Sequence, residues 1–173
     1  TLYCSFNQLT SLDFSGANAL TSLSCSLNQL TSLDFNGANA LTFLYCDFNP
    51  LTSLDVSNNI ALTDLSCTDN QLTSLDLSNN TALTFLFCNR NQLTNLDIRN
   101  GNNEALIKIG AGENPNLTCI YVDDADYSNA NWTNIDPNST FVNNEAECAL
   151  SIGDNALEVD VFIYPNPTDD YLF

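Results

Sequence analysis

Leu20-Thr21-Ser22-Leu23-Ser24-Cys25-Ser26-Leu27-Asn28-Gln29-Leu30-Thr31-Ser32-Leu33-Asp34-Phe35-Asn36-Gly37-Ala38-Asn39-Ala40 is one unit of this chain. Closely similar units precede it and follow it. Cys4, Cys25, Cys46, Cys67 and Cys88 fall 21 residues apart, and Asp13, Asp34, Asp55, Asp76 and Asp97 keep the same interval. A segment this short cannot bury its own apolar face, so it becomes stable by stacking on copies of itself.

Each unit has two halves. The first has the spacing L-x-x-L-x-C-x-x-N, as at Leu20, Leu23, Cys25 and Asn28, and recurs from Leu41, Leu62 and Leu83. The second reads L-T-S-L-D-x-S, as at Leu72, Leu75, Asp76, Leu77 and Ser78. Alternation over so few residues predicts short strands. The fold class expected is therefore mainly β: a solenoid with 21-residue coils. Each coil gives two short parallel strands, forming two parallel sheets around Leu and Cys. Asn side chains tie the turns, and the repeats need no helix.

These residues resemble the bacterial leucine-rich repeats, in particular the IRREKO class with its pattern L-x-x-L-x-C-x-x-N-x-L-x-x-L-D-L-x-x-N. The match runs in phase over residues 1–104. The resemblance implies a parallel solenoid in a family whose members mostly bind other macromolecules. The chain opens at Thr1-Leu2-Tyr3-Cys4, inside a repeat, so further sequence is expected before it. Extra residues among Asn102, Asn103 and Glu104 delay the next Leu to Leu106. Residues 1–125 read as the solenoid, with a degenerate last coil over 105–125, and 126–150 as a C-terminal cap around Trp132, Ile135, Phe141 and Val142. Such a cap shields the apolar end and open strand edges of the last coil. Residues 151–173 read as a linker and the start of a secretion signal. Tyr164-Pro165-Asn166-Pro167 through Leu172 resembles the opening of the type IX C-terminal sorting domain of Bacteroidetes, which implies export to the cell surface or beyond.

Composition narrows the function. Against 21 acidic residues stand three basic ones, Arg90, Arg99 and Lys108, for a formal net charge of −18. Nucleic acid is a poor partner for such a surface, because binding phosphates needs Lys and Arg. No apolar run is long enough to span a membrane. Histidine is absent, which removes the usual proton shuttle near neutral pH and the commonest metal ligand. A nucleophile–base pairing, a P-loop and a glycine fingerprint are also missing. No catalytic residue, cofactor or metal is expected, and the chain is expected to be a monomer.

The five ladder cysteines read as buried thiols acting as small apolar fillers. Parallel neighbours about 4.8 Å apart, with side chains pointing the same way, suit neither disulfide geometry nor its turned Cβ vectors. Cys119, at an outward place, and Cys148, at the end of the cap, are expected to bond to each other.

On the Cys-bearing sheet the outward places hold Tyr3, Phe43, Tyr45, Phe85 and Phe87, with Arg90 nearby. Solvent-facing rings in such numbers mark an interface or a sugar-stacking platform, or a face once covered by a neighbouring domain. The other sheet carries the Asp ladder, whose adjacent carboxylates want hydrogen-bond donors or diffuse cations. A row offering one carboxylate per coil suits specific calcium poorly. The function expected is noncatalytic recognition of a protein or glycan by a secreted or surface-displayed module, with adhesion as the outcome. The alternative is a structural spacer or targeting arm of a larger secreted protein. A remoter one is ice binding by the rows Thr21, Thr42, Thr63, Thr84 and Thr10, Thr31, Thr52, Thr73, Thr94, although turn hydroxyls serving the backbone explain those threonines more simply.

Overall fold

The structure, a computed structural model, describes residues 1–154. The segment Tyr164 to Leu172 and its reading as a secretion signal lie outside the described residues. Ten strands follow in chain order: β1 (Leu2–Tyr3), β2 (Ser22–Ser24), β3 (Phe43–Tyr45), β4 (Asp64–Ser66), β5 (Ser74–Asp76), β6 (Phe85–Phe87), β7 (Asn95–Asp97), β8 (Lys108–Gly110), β9 (Cys119–Tyr121) and β10 (Thr140–Val142). Two helices, α1 (Ala125–Asn131) and α2 (Glu145–Asp154), flank β10. All strand pairings are parallel, in a six-stranded sheet ordered β1-β2-β3-β4-β6-β8 and a four-stranded one ordered β5-β7-β9-β10. The chain is a leucine-rich-repeat-type solenoid, mainly β, with coils of about 21 residues.

Register keeps like on like. Leu2, Leu23, Leu44, Leu65, Leu86 and Ile109 form one row, and Leu75, Leu96, Ile120 and Phe141 another. From the second coil onward these side chains are buried, and Cys25, Cys46, Cys67 and Cys88 are fully so. Cys4, on the first coil, is only partly covered.

Asn28, Asn49, Asn70, Asn91 and Asn114 are the polar spine of the core. Each Nδ2 donates to carbonyls of its own coil and the preceding one, while Oδ1 accepts from the N–H of Leu9, Leu30, Leu51, Leu72 or Leu93. A buried amide with both ends occupied is what an apolar interior tolerates.

In the first three coils the second half runs without ladder pairing, and the second sheet starts only at β5. Phe14 and Phe35 stack there with centroids 5.6 Å apart, wider than the spacing of about 4.8 Å between paired strands. Val56, Leu77 and Ile98 succeed them in the core.

Beyond Asp126 the backbone ladder continues into the cap. Ala111 donates its N–H to the Asn134 carbonyl, in the place that Cys88 N–H to Gly110 fills one coil earlier, and β10 pairs with β9 in register. A seventh turn therefore runs from Trp132 to Val142, with α1 in place of the usual turn. Its Leu and Cys positions hold other residue types, so no period was left to count. Trp132 closes the core, edge-on to Phe141 and Tyr127, with its Nε1 donating to the Leu106 carbonyl at 3.2 Å.

Burial pushes the Cys25 and Cys88 thiols up to about 12, and those of Cys46 and Cys67 well above the ordinary range. Thiolate is the reactive form. A thiol reagent at mildly alkaline pH is therefore expected to modify Cys4 quickly in the native protein, and the four buried cysteines only after denaturation. Rapid modification of more than one thiol under native conditions would refute this.

Candidate functional site

Because side chains alternate across a strand, the residues flanking each core Leu of the six-stranded sheet face outward. They form two rows that follow from register. One runs Ser22, Phe43, Asp64, Phe85, Lys108, and the other Tyr3, Ser24, Tyr45, Ser66, Phe87, Gly110. Rings thus alternate with other residue types from coil to coil, on every second strand about 9.6 Å apart. Tyr3 and Phe43 are exposed, and Tyr45, Phe85 and Phe87 half-buried. Tyr45, Asp64, Leu65, Phe85, Phe87 and Lys108 line a groove of about 300 Å³. Lys108 Nζ lies 5.5 Å from the centroid of the Phe87 ring. Burial, then the nearby carboxylates of Asp64 and Asp47, push the Tyr45 hydroxyl above its usual range.

Beside these rows stands a ridge that the sequence reading missed. Phe6, Leu27, Phe48, Asp69, Arg90 and Glu113 each precede a ladder Asn and adopt φ between 52° and 59°. This left-handed bend lets the backbone leave the sheet while N–H groups, such as that of Phe48 to the Thr68 carbonyl, still reach the next coil. Asp at this position suits the conformation, whereas bulky apolar residues are uncommon in it. Yet Phe6 is 80% exposed, Phe48 47% and Leu27 39%. The period itself carried the signal, since the residue before each ladder Asn recurs every 21. Arg90 lies in this ridge, away from the groove, and pairs with Glu113 at 3.0 Å and Asp69 at 3.4 Å. Both pairs are solvent-exposed and contribute little to stability.

The Asp ladder on the other side serves the turns. Oδ1 of Asp13, Asp34, Asp55, Asp76 and Asp97 accepts the N–H of the residue two positions on, at 2.8 to 3.0 Å. These Asx turns hold the Asp13 carboxyl below its ordinary range through the Ser15 backbone, and that of Asp55 through the Ser57 hydroxyl and backbone. Asp97 is also gripped by Arg99, which reaches Glu145 on α2 at 3.3 Å and lies over the Tyr121 ring at 4.8 Å. Among the described residues no group of three or more His, Cys, Asp or Glu is placed to hold a metal. Thr42, Thr63 and Thr84 donate their hydroxyls to the preceding coil's carbonyls, as does Thr94.

Cys119 and Cys148 are joined by a disulfide. Cys119 faces outward from its sheet, yet it is buried, bonded to Cys148 on α2 and 3.9 Å from the Ser151 hydroxyl.

No protein-family model matches the chain, and no curated protein matches it by sequence. Among solved structures it is similar to the functional domain of InlJ from Listeria monocytogenes, which includes a cysteine ladder. The TM-score is 0.57 at 31% identity, over 80% of this chain and 33% of that one. The chain thus spans about a third of that protein's length.

Proposed function

We propose that this chain is a noncatalytic recognition module that binds a protein at a cell surface or outside the cell, through the outward face of the six-stranded sheet. The solenoid is typically a noncatalytic scaffold, and its kind suggests protein interaction. The observation that carries the reading is the ridge of Phe6, Leu27 and Phe48, exposed in a left-handed conformation. Neither backbone preference nor solvation favours those residues there, and contact with a partner accounts for them. Tyr3, Phe43, Tyr45, Phe85 and Phe87 extend the same surface. The disulfide fits an oxidising compartment, and the sorting-domain resemblance of the tail points the same way, towards adhesion.

Two variants test this by affinity capture from extracellular and surface-protein extracts, with oligosaccharide arrays in parallel. Changing Phe43, Tyr45, Phe85 and Phe87 to Ser is expected to abolish capture. Changing Phe6, Leu27 and Phe48 to Asn is expected to weaken it at least tenfold while stability holds or rises by about 1 kcal/mol, because Asn tolerates the left-handed bend. Binding to oligosaccharides alone would reassign the partner. Absence of any captured partner by the wild type would favour a spacer.

A further inference from the structure

We propose that this face receives a basic side chain, Lys or Arg, from a polypeptide partner, seated over Asp64, which lines the groove and stands between the rings of Phe43 and Phe85. This rests on the recognition reading above and names the chemistry of its partner. Register sets Asp64 directly between those two rings, on strands that pair with β4 from either side. Tyr45 and Phe87 flank Ser66 in the same way one row over.

A carboxylate between two aromatic walls suits a cation in two ways at once. The ring faces attract it by their quadrupoles, and the oxygens accept its charge-assisted hydrogen bonds. This chain already uses the wall so, with its own Lys108 ammonium against Phe87. Asp64 and Asp47 differ in what remains open to a ligand. Asp47 accepts from the hydroxyls of Ser26 and Ser66 and from the Thr68 N–H, so it is committed to the fold. Asp64 accepts from the Thr63 hydroxyl at 2.8 Å, and among the described residues it joins no ion pair. A carboxylate has roughly four acceptor sites, so most of its capacity stays available. Lys108 lines the same groove from a strand two away, about 9.6 Å at the backbone, with its ammonium held over the Phe87 ring, so the incoming cation takes the Phe43 side of Asp64. The net charge of −18 selects a cationic partner over an acidic one.

The test is selection of a displayed library of random linear peptides on the immobilised protein. Selected peptides are expected to carry Arg or Lys at one fixed position and to lose binding when it becomes Gln. Asp64→Asn is expected to weaken them about tenfold or more, and Glu104→Gln, an equal charge change outside the groove lining, to leave them unchanged. Equal losses in both variants, or selected peptides with no fixed basic residue, would overturn the proposal. Peptides that bind Asp64→Asn normally but fail on the variant with Phe43, Tyr45, Phe85 and Phe87 changed to Ser would overturn it while leaving the recognition face intact. No enrichment on the wild type, together with no captured protein, would remove both.

Discussion

Replacing Asn70 by Ala is expected to destabilise the protein by about 3–5 kcal/mol, read from urea denaturation, although the change removes only an amide group. The side chain sits in the middle of the stack. It donates to the carbonyls of Cys46, Cys67 and Thr68 and accepts from the Leu51 N–H at 3.2 Å. The two N–H donors, shared among three carbonyls, and the one accepting oxygen amount to about three hydrogen bonds, which at about 1 kcal/mol each give the lower end of that range, and stranded buried partners raise it. The stranded Leu51 N–H lies beside Leu51, Cys46 and Cys67, all fully buried. Because the bonds to Cys46 and Leu51 join this coil to the one before it, part of the loss falls on the interface between repeats, the term that holds a one-dimensional stack together. Asn70→Asp should be worse, since a carboxylate facing three carbonyls has nothing to donate. A loss below about 1 kcal/mol for the Ala variant, within the range of ordinary surface substitutions, would mean the spine is decoration and the Leu rows alone carry the stack.

The repeats announced this architecture because Leu, Cys and Asn each have one physical task per coil and perform it at a fixed interval. Leu23, Leu44 and Leu65 fill the same place in successive layers, and Asn28, Asn49 and Asn70 tie the same bend. Patterning failed where the task stayed but the residue type changed. In the seventh turn Asn134 and Phe141 continue the backbone ladder, yet neither resembles the repeat it extends. The candidate site was half legible. Alternation placed Phe43, Tyr45, Phe85 and Phe87 on the outward face, because strand pleating allows nothing else. Phe6, Leu27 and Phe48 escaped because a left-handed residue is a property of backbone geometry, and apolar side chains are the wrong guide to it. In the Asp ladder one oxygen of each exposed carboxylate accepts from its own turn, a local task that the 21-residue interval alone does not reveal.

Removing the Cys119–Cys148 bridge by changing both residues to Ser is expected to lower stability by about 3 kcal/mol and to do so at one end of the molecule. The bridge spans 29 residues, and a closed loop of that length restricts the unfolded chain by roughly 3.5 kcal/mol. Its structural consequence is local. α2 is tied to the stack by this bond, by packing on β10, and by the exposed contact from Arg99 to Glu145. Without the bond, α2 keeps only its packing on β10 and an exposed ion pair worth at most about 1 kcal/mol, so α2 should detach first and uncover the edge strand β10. Coils stack only on their neighbours, so the loosening should weaken with distance from the cap. Hydrogen exchange should therefore rise most in α2 and β10, less in β9, and little in β2 and β3, with a melting temperature lower by about 10 °C for a domain of this size. A uniform rise across all strands would show that the stack opens as one unit and that the bridge acts through global stability. No rise in α2 would show that packing alone holds the cap.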